Sequence, residues 1–197
     1  MRLIDEREGN GGVSVDNGSE YYRRLLEGDK EALAPIIREY KDGLMLYLYR
    51  FTNDINTAEE LTEDTFFRLY TKRPRFSGKS SFKTWLYSIG RHIAVDYLRK
   101  HPFSRISLDE CHNLKSSTDI EAAYENAERN SELAKAMQSL KAEYRQVLHL
   151  VYIEGFSMEE TCSIMKKNSK QLGNLLYRAK KSLRSKLGKE VFFNEEL

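Results

Sequence analysis

Apolar residues recur at helical spacing along most of the chain. Leu33, Ile36, Ile37, Tyr40 and Leu44 keep one face, which continues through Tyr47 and Leu48 to about Phe51. Leu61, Thr65, Phe66 and Leu69 form the next stripe, and Phe82, Trp85, Leu86, Ile89, Ile93 and Tyr97 a third. Further on, Leu133, Met137 and Leu140 lead into Tyr144, Val147, Leu148, Val151 and Tyr152. Leu172, Leu175, Leu176, Ala179 and Leu183 close the series. No segment alternates as a strand does, and no hairpin dipeptide separates two apolar runs. The pattern predicts an all-α fold.

Polar residues punctuate these stripes. A helix at Glu20 to Glu27 is closed by Gly28, and Asp29 can cap the next one through its carboxylate. Pro35 then lies beyond the first turn, which predicts a kink there or a helix that begins near Ala34. Thr52 to Asn56 make a turn, and Thr57 with Glu60 reads as a capping box opening a helix from Ala58 to about Thr71. Pro102 stops the Trp85 helix. Gly155 ends another, and Ser157 with Glu160, then Asn168 with Gln171, repeat the capping device. A short helix, a short turn and a longer basic helix make a helix-turn-helix.

Periodicity is lost between His101 and Thr118, and Asp119 to about Asn130 reads as an acidic helical stretch. The expected organisation is two small helical domains joined by a linker. Residues 1–19 form a disordered polar tail, 20–101 the first domain, 102–130 the linker, 131–188 the helix-turn-helix domain and 189–197 a C-terminal tail. The linker should be mobile, and in the absence of a partner the two domains are free to pack on each other.

Net charge is only +2, so its distribution matters more than its total. From Lys166 to Lys189 the chain carries nine bases, and no acid appears before Glu190. A solvated helix usually mixes signs to gain i,i+4 pairs, whereas a run of one sign repels itself unless a polyanion balances it. DNA contact by this helix is the reading that charge and motif favour. Lys170, Gln171 and Asn174 lie near its N-terminal end, the end that enters a major groove first, and Arg178 and Lys181 follow a turn or more later. Arg145, on an earlier helix, is a further candidate for phosphate.

A second basic stretch, Arg73 to Ser81, contains one aromatic, Phe76, and leads into the helix that carries the only tryptophan, Trp85. Cations and rings together can hold an unpaired strand. A solvated loop before an ordinary amphipathic helix explains the same residues. The acids Glu59, Glu60, Glu63 and Asp64 suit the helix dipole, and equally suit a docking face for a basic partner.

Little points to catalysis. Cys111 and Cys162 lie far apart without metal-type spacing, and His92, His101, His112 and His149 are scattered. Gly9, Gly11 and Gly12 have no strand before them, so they make no phosphate loop. No metal, cofactor or enzymatic role is expected. There is no apolar run of bilayer length and no signal peptide, and thiols without partners fit a reducing cytoplasm.

The residues of both blocks resemble a known family, the extracytoplasmic-function (ECF) type of alternative sigma factor, a small two-domain subunit of bacterial RNA polymerase. The first block matches in Gly28-Asp29-Lys30-Glu31-Ala32, in Ala58 to Phe66, in Phe76 to Tyr87 and in Asp96-Tyr97-Leu98-Arg99-Lys100. The second matches in Tyr144 to Leu148, in Glu154 to Glu160 and in Leu176 to Leu183. So many matches in order are far more specific than one helix-turn-helix.

The resemblance implies a factor for promoter recognition and transcription initiation under stress or envelope signals, controlled by an anti-sigma factor. Core polymerase would dock on Glu59, Glu60, Leu61, Glu63, Asp64 and Phe66. The minus-10 element would be opened and held by Arg75, Phe76, Ser77, Gly78, Lys79, Ser80, Ser81, Lys83, Trp85, Tyr87 and Arg91. The minus-35 element would be read by Arg145, Ser169, Lys170, Gln171, Asn174, Tyr177, Arg178 and Lys181. No membrane insertion is implied.

Glu63 stands where the family usually has glutamine, Pro35 interrupts a normally continuous helix, Thr161 and Cys162 replace isoleucine and alanine, and Gly173 stands where a base is frequent. A DNA-binding regulator without a polymerase role would need neither the acidic helix nor the Trp85 loop. A protein-only adaptor would not need the acid-free run.

Overall fold

The computed structural model describes residues 17–101 and 132–187. The expectations for the tails, the linker, the acidic stretch after Asp119, Cys111 and His112 lie outside the described residues, apart from the first helix. That helix, α1, spans Gly18–Leu26. Gly28 then reverses the chain with φ 106°, a left-handed conformation open to glycine. Asp29 accepts from the Glu31 N–H and opens a single 3₁₀ turn, Lys30–Ala32, before α2, Leu33–Thr52. Pro35 therefore sits in the first turn of α2, where its missing N–H has no intrahelical partner to lose.

The next cap differs from expectation. Helix α3 spans Ile55–Lys72, and its N-cap is Asp54, whose carboxylate accepts from the Thr57 N–H at 2.8 Å. Thr57 is not a cap but a buried residue one turn inside. Asn53 precedes the cap in the left-handed region, φ 57°, so the turn ends earlier than Thr57 and the carboxylate takes the orphan donors. Helix α4 spans Phe82–Lys100, capped by Ser81.

Helices α2, α3 and α4 share one core, with Leu44, Tyr47, Leu48, Leu61, Leu69, Phe82 and Leu86 almost wholly buried. The inward stripe of α4 runs Phe82, Leu86, Gly90, Ala94, with Trp85, Ile89 and Ile93 on its flank. Gly90 sets the closeness of α4 to α2: a Cβ there would lie 2.9 Å from Leu44 Cδ1. Gly90→Ala adds helix propensity worth about 1 kcal/mol, but crowds a packed core at about 1–3 kcal/mol. A net loss of stability is expected, read as a lower urea midpoint.

The second block begins with α5, helical over 132–138, followed by α6, Ala142–Leu148. The chain then widens into a π-helical turn, His149–Ile153, where Glu154 N–H reaches His149 O at 3.0 Å. Gly155, at φ 70°, ends it. Helices α7, Met158–Met165, and α8, Ser169–Lys186, each start on the capping box read from the sequence. Lys166 turns between them at φ 52°.

The two blocks pack on each other. Tyr47 of α2 stacks on His149 of the π turn and on Tyr87 of α4, with ring centroids 6.0 and 5.4 Å away. Tyr87 meets Phe156 edge-on at 5.1 Å. Gly43 lies at the same junction: a Cβ there would stand 2.6 Å from the Tyr87 hydroxyl and 3.1 Å from Glu154 Oε1. Arg50 Nε donates to His149 Nδ1 at 3.3 Å, so the ring proton sits on Nε2, 3.2 Å from Glu154 Oε1. Among the described residues, no helix is long and apolar enough to cross a membrane.

Candidate nucleic-acid and polymerase interfaces

On α3 the helical period separates two sets of residues. Glu59, Glu60, Glu63 and Asp64 are exposed, while Leu61 and Phe66 are 1% and 5% exposed. Leu61 and Phe66 thus shape the acidic face from beneath and present no surface to a partner. The apolar group that does emerge there is Phe67, 65% exposed. It follows Asp64 and Glu63 at i+3 and i+4, a spacing that could have found it. Among the described residues, Glu59 alone of these four acids has a cation nearby, Lys41 at 3.7 Å.

The basic loop is anchored at its start, where Tyr22 donates its hydroxyl to Pro74 O at 2.7 Å. Arg75, Ser77, Gly78 and Lys79 are exposed, and Ser80 is partly so. Phe76 and Trp85 are each partly buried. Trp85 packs on Tyr22, Phe76 and Phe82, with centroids 5.0 to 5.5 Å apart, and keeps only part of its surface. Tyr87 is 1% exposed and closed off by Phe156. Burial first, and the neighbouring Glu154 second, push its phenol far above the usual range, so it stays neutral. The Arg91 Nε is buried without a hydrogen-bond partner.

Lys83 is also engaged across the junction. Its ammonium lies 2.9 Å from Glu154 Oε2 and 4.9 Å from the centre of the Phe156 ring. Beside it, Glu160 Oε1 accepts from Thr84 Oγ1 at 2.8 Å and from Ser81 Oγ at 3.1 Å.

The helix-turn-helix presents Ser169, Lys170, Gln171, Asn174, Tyr177, Arg178 and Lys181 to solvent. Among the described residues no ion pair involves a base of α8; the nearest is Lys167 with Glu143, 2.8 Å, in the groove beside it. Gln171 spends its amide oxygen on the Asn168 N–H, which leaves Asn174 as the amide with both groups available. Gly173 faces open space, so no close packing demands glycine there.

Arg145 requires a correction. It is 8% exposed, and its guanidinium donates to Leu140 O at 2.6 Å, Gln138 O at 3.1 Å and Arg50 O at 3.1 Å. A group committed to three carbonyls, one of them in the other block, does not reach phosphate. Periodicity could not reveal this, because an arginine on a basic protein reads as surface until its acceptors are seen.

The family model for Sigma-70 region 2 matches residues 36–102, and that for Sigma-70, region 4 matches residues 130–183, together more than half of the chain. RNA polymerase sigma factor YlaC of Bacillus subtilis (strain 168) is 27% identical over 163 residues, 81% of this chain and 94% of that protein. ECF RNA polymerase sigma factor SigW of the same organism is 25% identical over 175 residues, 84% of this chain and 94% of that one. Among solved structures, CnrH in complex with the cytosolic domain of CnrY shares the fold with a TM-score of 0.64 at 18% identity, covering 89% of this chain and 99% of CnrH. RpoE of Bartonella quintana, solved with the anti-sigma factor NepR, gives 0.63 at 20% identity, covering 80% and 98%. The chain belongs to the extracytoplasmic-function family of RNA polymerase sigma factors.

Proposed function

We propose that the acidic face of α3 docks the chain on core RNA polymerase, that the loop before α4 holds the opened minus-10 strand, and that α8 reads the minus-35 duplex. The observation that carries this is the separation of charge: four exposed acids on α3, and on α8 exposed bases that pair with no acid among the described residues. The chain performs no chemistry of its own and works in the cytoplasm, where polymerase and promoter lie. An anti-sigma factor, of the kind seen with the Bartonella quintana relative, would keep it from polymerase until a signal arrives.

Run-off transcription with core enzyme tests the whole reading, and three substitutions test its parts. Asn174→Ala should change which minus-35 sequence is used, at about 1–3 kcal/mol for a lost bidentate contact with adenine. Arg178→Ala should weaken all promoters alike and flatten the salt dependence by about one phosphate. Identical shifts in both variants would refute this division. Charge reversal at Glu60 and Asp64 together should weaken core binding while circular dichroism stays unchanged. Each exposed pair is worth roughly 0–1 kcal/mol, so Phe67 is expected to carry part of the affinity.

A further inference from the structure

Thr84 has no place in the promoter contacts set out above, yet its hydroxyl meets a carboxylate from the other domain. Ser81 is the N-cap of α4, accepting from the Thr84 N–H at 3.2 Å, and the two hydroxyl oxygens lie 2.7 Å apart. Both also approach Glu160 Oε1. Two hydroxyl protons therefore serve three close oxygen pairs, and at least one of them points at the carboxylate. The arrangement sits at the positive end of a helix nineteen residues long, where an anion is stabilised. Thr84 is 1% exposed, so its hydroxyl has no aqueous alternative in this state.

The anion is supplied by the chain itself. The other oxygen of Glu160 closes the α7 capping box by accepting from the Ser157 N–H at 3.0 Å. Burial opposes the charge on Glu160, but the donors from Ser157, Thr84 and Ser81 outweigh it and hold the carboxyl below its usual range. α7 would keep its cap without any contact to α4, so capping explains one oxygen of Glu160 and not the other.

We propose that Ser81 and Thr84 form a binding site for a backbone phosphate of single-stranded DNA, and that Glu160 occupies it as an internal substitute while the two domains are closed. Lys83, held beside it by Glu154, supplies the cation once that partner withdraws. The site deepens the strand-holding role of this loop and rests on it. The free chain then cannot hold a single strand until α7 moves away, and a strand that binds pushes the domains apart. Loading on polymerase, which needs the two DNA-binding domains on separate promoter elements, vacates the site at the moment it is needed.

The test uses the full chain without polymerase, a short fluorescent oligothymidylate as probe, and a dye pair reporting the distance between the domains. Glu160→Gln keeps the acceptor for the Ser157 N–H and removes the charge. It should tighten oligonucleotide binding several-fold, because the competent state becomes more populated, and lengthen the mean interdomain distance. Adding Thr84→Val to Glu160→Gln should abolish the gain in affinity while leaving the longer distance and the melting temperature in place.

If Glu160→Gln opens the domains without tightening the probe, or if the gain survives Thr84→Val, the site is refuted. Holoenzyme measurements separate this from failure of the broader reading. If Lys79 and Ser80 variants slow permanganate-detected promoter opening while the Glu160 and Thr84 results fail, the strand-holding loop stands and the phosphate site falls. Opening at the wild-type rate in the Lys79 and Ser80 variants would remove both.

Discussion

Arg145→Met should lower the stability of the folded chain by about 3 kcal/mol, yet leave the salt dependence of duplex DNA binding unchanged. Methionine preserves much of the volume, so the loss comes from the three carbonyls of Gln138, Leu140 and Arg50 that lose their donor. Each buried acceptor left without a partner costs about 1–3 kcal/mol, reduced here because some will find water as the chain relaxes. Burial already draws the guanidinium below its usual range, helped by the nearby Arg50 charge, so the site tolerates the cation only because those acceptors surround it. Urea denaturation measures the first expectation. A flattened salt slope, by about one phosphate, would instead return Arg145 to the DNA surface.

Acid should unfasten the closed chain in two stages. His149 is wholly buried and faces Arg50, Lys83 and Glu154. Burial lowers its basicity more than the Glu154 hydrogen bond raises it, so the ring is neutral in the folded chain. The unfolded chain takes up a proton as the pH falls through the ordinary 6.5, and the folded chain does so only at lower pH. Stability is therefore undiminished above that value and starts to drop below it. Glu154 governs the second stage. Burial opposes its charge, but hydrogen bonds from His149, Lys83 and Tyr87 prevail and hold it at about 2 against an ordinary 4.5. With its side chain only 9% exposed, the shift is worth about 3 kcal/mol. That contribution is present above pH 4.5 and is lost as the pH falls towards 2. Urea midpoints followed downward from about pH 8 should show the first decline vanish in His149→Gln and the second in Glu154→Gln. An unaltered profile in both would place the acid sensitivity elsewhere.

The fold is legible in the sequence where a pattern is local. Both capping boxes of the second domain, the glycine at its turn and the inward leucines of α8 follow from spacing alone. At α3 two residues could cap the helix, and only the backbone shows that Asn53 has already turned left-handed before Asp54. One tryptophan beside a basic loop suggests stacking on bases, but the sequence does not show that the partly buried ring of Trp85 also packs on Tyr22, which lies far away in the chain. Periodicity reports which face of a helix leaves water and is silent about what covers it. For that reason Arg145, one of whose three acceptors is the Arg50 carbonyl of the other domain, and Tyr87, covered by Phe156 of the other domain, are the least legible residues of the site.

The bare Cα of Gly43 gives the junction a point of adjustment. Three segments converge there, and the smallest added group would press on the Tyr87 hydroxyl and the Glu154 carboxylate together. Side chains of increasing size at position 43 would act as wedges of graded thickness, each setting a different resting ratio of shut to parted molecules while the exposed faces of α3 and α8 stay unaltered. One codon would thus suffice to retune how readily the factor competes for core enzyme, a route by which closely related copies in one cell could come to differ in threshold while keeping the same promoters.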